Sequence, residues 1–116
     1  MKDISIGVAA VSTTKTTIYT IPANYYAKWN LLYAHNTTSS AKWLTAIWYD
    51  KSANTEVKLI EEYPLPAKDY LKIDGGASVI LEEGDEIRIQ AEASTTSCIV
   101  TLEIFQKSTT KIGNAT

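Results

Sequence analysis

With a single cysteine, a single histidine and a single arginine in 116 residues, the chain lacks the materials of several kinds of chemistry. Cys98 cannot close an internal disulfide, and neither a helix start nor a cluster of positive charge stands beside it to activate a thiolate. It reads as a small buried hydrophobe at the head of an alternating run. His35 alone cannot build the mixed His and Cys clusters that hold zinc, and spacing nominates no third group to orient its ring for Ser–His–Asp catalysis. We read it as a structural histidine near a turn. Arg88 stands with ten scattered lysines against 13 acidic residues, for a net charge of −2. Duplex recognition needs clustered cations that neutralise phosphates, so nucleic acid is not an expected partner.

Long apolar runs are missing as well. No apolar stretch reaches the roughly 18 residues of a membrane span, and the N-terminus (MKDISIG) has no signal-peptide pattern. The expectation is a protein without a membrane partner that folds in a reducing cytoplasm. No phosphate-cradling G-x-x-x-x-G-K-[ST] loop and no G-x-S-x-G elbow occurs. Glu82, Glu83, Asp85 and Glu86 form an acidic group, but without the spaced oxygen ligands of a calcium loop or a pair of carboxyls facing across a cleft. We read them as a solvated hairpin turn. Catalytic, cofactor-binding and metal-ligating residues are therefore expected to be none.

What the chain has is apolar and aromatic strand. Its composition, 45% hydrophobic and 21% charged, is that of an ordinary globular domain. At this length one core can bury about two-thirds of the unfolded surface. All three tryptophans fall in residues 27–49, AKWNLLYAHNTTSSAKWLTAIWY, which reads as two apolar strands joined in a hairpin by the polar turn 36–40. In the first arm Trp29, Leu31, Tyr33 and His35 share one face. In the second, Trp43, Thr45, Ile47 and Tyr49 oppose Leu44, Ala46 and Trp48, so both faces ask to be covered by a loop, a terminal arm or another subunit.

Elsewhere short strands alternate with turns. Residues 4–8, 16–21, 56–60, 70–73 and 77–81 read as strands, with 74–76 a tight turn and 61–69 (EEYPLPAKD) a crossover between sheets. In 86–91 Ile87, Ile89 and Ala91 face inward, and in 98–105 Cys98, Val100, Leu102 and Ile104 do. No segment carries a sustained helical period. About eight to nine short strands, with turn signals roughly every ten residues, predict an all-β fold: an antiparallel, jelly-roll-like β-sandwich, with a small barrel as runner-up. We expect one domain over residues 1–106 and a polar C-terminal arm over 107–116 (KSTTKIGNAT preceded by Gln106) that packs on neighbouring subunits. Tyr25, Tyr26, Trp29, Trp43, Trp48 and Tyr49 are the candidate subunit contacts; exposed tryptophans would alternatively stack on sugar rings.

The order TIYTIPA (17–23), NTTSS (36–40) and LEEGDEI (81–87), followed by a final alternating strand, resembles small β-sandwich virion proteins of tailed bacteriophages. The resemblance covers residues 16–105. Asn24-Tyr25-Tyr26 departs from it, standing where a glycine-containing turn is commoner. It implies a non-enzymatic virion component, with decoration or cementing of the capsid as the first reading. Its expected partners are itself, as a trimer, and the major capsid protein. A neck, tail or fibre protein is the close alternative, and a module recognising host glycan a more distant one.

Overall fold

The computed structural model describes residues 2–74 and 79–107. Nine strands and no helix make up this part of the chain: β1 (Lys2–Val8), β2 (Thr16–Thr20), β3 (Tyr25–Asn36), β4 (Lys42–Asp50), β5 (Thr55–Leu65), β6 (Tyr70–Ile73), β7 (Val79–Leu81), β8 (Glu86–Ala91) and β9 (Thr96–Gln106). They form two antiparallel sheets. Sheet I runs β1-β9-β3-β6, with β7 pairing β3 beyond the end of β6, and sheet II runs β2-β8-β4-β5. The fold is a jelly-roll-like β-sandwich.

Between the sheets lies one core, to which Ala27, Trp29, Leu32, Leu44, Leu81, Ile87, Ile89, Val100 and Leu102 contribute fully buried side chains. Strands β8 and β9 behave as their alternation predicts: Ile87, Ile89, Ala91, Cys98, Val100 and Leu102 are buried, and Ile104 is half-buried against the core. Burial pushes the Cys98 thiol up to about 11, as an apolar site disfavours the thiolate.

Four expectations are corrected. The arms of residues 27–49 do not form a hairpin, because β3 belongs to sheet I and β4 to sheet II. Their polar linker crosses the sandwich. Buried Asn36 organises it: its Nδ2 donates to the carbonyls of Ser40 (2.8 Å), Leu65 (3.0 Å) and Pro66 (3.2 Å), and its Oδ1 accepts from Thr38 N (3.0 Å) and Thr38 Oγ1 (2.7 Å). One carboxamide thus joins this crossover to the one between β5 and β6.

Second, Trp29 does not share a face with Leu31, Tyr33 and His35. The β3–β9 register slips between Trp29 and Leu31, so Ala27 and Trp29 face the core, and after the bulge at Asn30 the inward set becomes Leu32, Ala34 and Asn36. One inserted residue inverts a period-two pattern. Third, β5 extends to Leu65 and absorbs most of the expected crossover, leaving residues 66–69 to change sheets. Pro64 is tolerated there because β5 is an edge strand. The expected turn at 74–76 and the arm at 107–116 lie, except for Asp74 and Lys107, outside the described residues.

The turn between β7 and β8 also crosses sheets, and Asp85 within it is buried rather than solvated. Its carboxylate accepts from Trp48 Nε1 (3.0 Å), Lys51 N (3.0 Å) and Glu82 N (2.9 Å). Three N–H groups replace the water that the charge gives up. Glu83 remains exposed, and the Lys107 ammonium, with Asn24 N–H, holds its carboxyl below the usual carboxylate range.

Candidate functional site

A sandwich with a filled interior presents function on its outer faces and edges, and both sheets here carry exposed apolar residues, Val57 and Tyr63 on β5 of sheet II and Tyr70, Ile80 and Ile99 on sheet I. On sheet II the outward residues are charged and bonded to one another. Arg88 on β8 donates through Nη1 to Glu56 Oε2 (2.6 Å) and through Nε to Glu86 Oε1 (2.8 Å). Lys15 donates to the other Glu56 oxygen at 2.9 Å, and Thr17 Oγ1 to Glu86 Oε1 at 2.6 Å. The Arg88 guanidinium also lies 3.9 Å from the centre of the Tyr49 ring. Lys15 and then Arg88 hold the Glu56 carboxyl below the usual carboxylate range, and the Thr17 hydroxyl and Arg88 do the same for Glu86. This layer roofs Ile47, which is buried on the outward side of β4. The second face of β4 is therefore covered by side chains of its own sheet.

Toward the other end of β4 the cover opens. Strand β5 is out of step with β4 at two places, between Leu44 and Ala46 and between Ala46 and Ile47, and Glu62 takes φ = 47° while its N–H donates to Thr45 Oγ1 at 2.8 Å. Extra residues in one strand bend it away from its partner. The result is a half-open groove of about 280 Å³ whose lining includes Trp43, Thr45, Ile47, Glu61, Glu62 and Gln90.

Sheet I carries two aromatic pairs outside, separated by polar residues: Ser5 Oγ lies 2.9 Å from Thr101 Oγ1, and Lys28 stands opposite Glu103. Tyr26 and Phe105, directly opposite in register, stack at 4.9 Å and 10°, with Lys28 Nζ 5.9 Å from the Phe105 ring centre. Tyr33 on β3 stacks on Tyr70 of β6 at 5.5 Å and 22°. Ile99 on β9 lies between Tyr33 on one side and Gly7 of β1 on the other. Nothing approaches within 4 Å of where a Gly7 side chain would stand, so the shelf is open there. Tyr70 is 56% exposed, Ile80 44% and Ile99 40%. Aromatic rows with no chemistry of their own have the character of contact surface.

The six aromatic residues singled out by sequence are not brought together. Trp29 is in the core, its Nε1 donating to Leu31 O at 3.0 Å. Tyr25 and Trp48 pack against the core from within, so Trp48 is not a stacking platform for sugar. Tyr26 lies on the outside of sheet I, while Trp43 and Tyr49 lie on the outside of sheet II. Sequence reasoning missed Gly7, Tyr70 and Ile99, while Tyr33 was visible in it as one of the aromatic residues of β3. The signal for Ile99 was present, since an inward Cys98 and Val100 put it outward. His35 is half-buried on this same face, opposite Tyr70. Among the described residues no group of three or more His, Cys, Asp or Glu side chains is placed to hold a metal ion, and no helix is long and apolar enough to cross a membrane.

No family model matches the chain, and no curated relative matches it. Solved structures do. A chain of infectious bursal disease virus, Gx strain, superposes with a TM-score of 0.52 at 10% identity over 93% of this chain and 33% of that one. The protein of Bacillus endospore appendages, described as a family of disulfide-linked pili, gives 0.48 at 18% identity over 92% and 87%. A pentameric capsid protein from metagenomic phage sequences gives 0.47 at 18% identity over 89% and 61%. The chain thus spans less than two-thirds of either viral protein. At these identities the likeness is one of fold alone.

Proposed function

We propose that this chain is a non-enzymatic structural subunit of a bacteriophage particle, a capsid decoration or cement protein that assembles with copies of itself through the outer face of sheet I. The observation that carries the reading is the contrast between the two faces. On sheet II the charges are satisfied by one another. On sheet I the Tyr33–Tyr70 stack and Ile99 lie beside the unfilled shelf at Gly7, with the Tyr26–Phe105 stack further along β9. Covering Tyr70, Ile99 and Tyr33 with a different surface of a neighbouring copy, the head-to-tail contact that closes a ring of three, removes apolar area from water.

A symmetric trimer is the assembly we favour, with residues 107–116 as an arm that clasps a neighbour and residues 1–106 as the single domain that carries it. Such multivalency lets modest contacts with the major capsid protein add to firm attachment. The virion resemblance of the strand and turn sequence supports the location, and the fold it shares with viral structural proteins is compatible with it. Antibody labelling of purified particles in the electron microscope tests the role. Label distributed over the head is the expected result, label confined to neck, tail or fibre moves the subunit there, and unlabelled particles overturn the proposal.

A further inference from the structure

The groove on the outside of sheet II is not used by the assembly reading, and its chemistry is of another kind. We propose that it binds one pyranose ring of a neutral saccharide, with Trp43 as the stacking wall and Glu62 and Gln90 as acceptors for ring hydroxyls.

Size sets the first limit. About 280 Å³, half open, is at the lower end of small-ligand pockets and suits a single sugar ring rather than a nucleotide or a peptide. Amphipathy sets the second. A pyranose has one apolar C–H face and a rim of hydroxyls, and the groove offers the matching pair: the Trp43 side chain, and polar groups around it.

The hydrogen-bonding inventory singles out the same residues. Trp29 and Trp48 give their indole N–H groups to Leu31 O and to Asp85. Trp43 alone of the three has no acceptor for its N–H among the described residues. Gln90 spends its Nε2 on Thr13 O at 2.9 Å and keeps its carbonyl oxygen free. Glu62 uses only its backbone N–H in hydrogen bonding, leaving a carboxylate that accepts no hydrogen bond from the protein and has only the charge of Lys58 near it. One donor and two acceptors on residues that line the groove are therefore left without a hydrogen bond from the protein.

Charge excludes the rivals. Lys15 and Lys58 are paired with Glu56 and Glu61 at 2.9 and 2.8 Å, and with Glu62 the carboxylates outnumber the ammonium groups. A phosphate or an acidic sugar would meet net negative charge. The backbone that carries the stacking residue is fixed: Trp43 N donates to Glu92 Oε1 and Trp43 O accepts from Glu92 N, each at 3.0 Å.

The three indole N–H resonances of ¹⁵N-labelled protein make the test. Methyl glycosides of glucose, galactose, mannose, rhamnose and N-acetylglucosamine are titrated singly, each to about 100 mM. One stacked face and two or three hydrogen bonds correspond to a Kd of roughly 1–10 mM. At least one glycoside should shift the Trp43 indole signal saturably and leave those of Trp29 and Trp48 in place. Trp43→Ala should weaken binding about tenfold or more, and Glu62→Gln by a smaller factor. Unchanged Trp29 and Trp48 signals show that each variant is folded. No saturable shift at Trp43 with any of the five glycosides, or binding that survives Trp43→Ala, overturns the proposal. Neither result touches the assembly reading, which concerns the opposite sheet.

Discussion

Replacing Asn36 with alanine should be among the most damaging single changes on the polar part of this chain, although Asn36 is neither large nor charged. Its carboxamide makes five contacts, but an NH₂ group has two hydrogens, so the three carbonyls share two protons and the side chain is worth about four full bonds. At about 1 kcal/mol net for each bond the sum is about 4 kcal/mol. Water can reach the partly buried partners once the side chain is gone and recover part of this. We therefore expect a loss of about 3 kcal/mol. Urea unfolding at one protomer concentration reads it directly, with an unchanged slope showing that the denatured state is not altered. Asn36→Asp sharpens the test, because at neutral pH a carboxylate oxygen would face the carbonyls of Ser40, Leu65 and Pro66 with no proton to share. That variant should be at least as unstable at pH 7 as Asn36→Ala, and should recover relative to it as acid restores a donor. A cost under about 1 kcal/mol for Asn36→Ala would refute the idea that one side chain holds both crossovers.

Other expectations follow from single features. Thr96 Oγ1 is the one buried side-chain oxygen without a partner among the described residues, so Thr96→Val should leave stability unchanged or raise it by about 1 kcal/mol in the same assay. Glu56 and Glu86 have lowered folded-state pKa values, so their contribution is complete above the ordinary value of 4.5 and is lost as pH falls through the folded values. The urea midpoint should be flat from pH 7 to 5 and fall below about pH 4.5, less steeply in Glu56→Gln. Cys98, buried and with its thiol pushed up to about 11, should resist a maleimide at pH 8 in the native protein and react fully in urea.

How far the fold could be read from the sequence depended on whether a strand was regular. In β8 the alternation EIRIQA runs without a bulge, and the inward set Ile87, Ile89 and Ala91 is the buried set. In β3 the bulge at Asn30 is invisible to a period-two pattern and reverses the face of every residue after it. The segment 36–40 has turn composition for a good reason, yet composition does not say whether the flanking strands pair or part. Here they part, because the Asn36 amide finds its partners on the β5–β6 connection, a contact between residues some thirty positions apart. The acidic turn poses the same difficulty: four carboxylates look alike in sequence, and only the fold delivers three N–H groups to Asp85. The candidate contact surface was the least legible part. Tyr33, Tyr70 and Ile99 come from β3, β6 and β9, and nothing local to any of them announces the other two.

The most direct measurement is the mass of the protein in solution by light scattering over a range of concentrations, for the wild type and for the double variant Tyr70→Glu, Ile99→Glu. The account expects a closed oligomer, three times the 12.8 kDa protomer, that falls to a folded monomer when the two charges enter the outer face of sheet I. A wild type that stays monomeric at every concentration, or an oligomer indifferent to both substitutions, would contradict it.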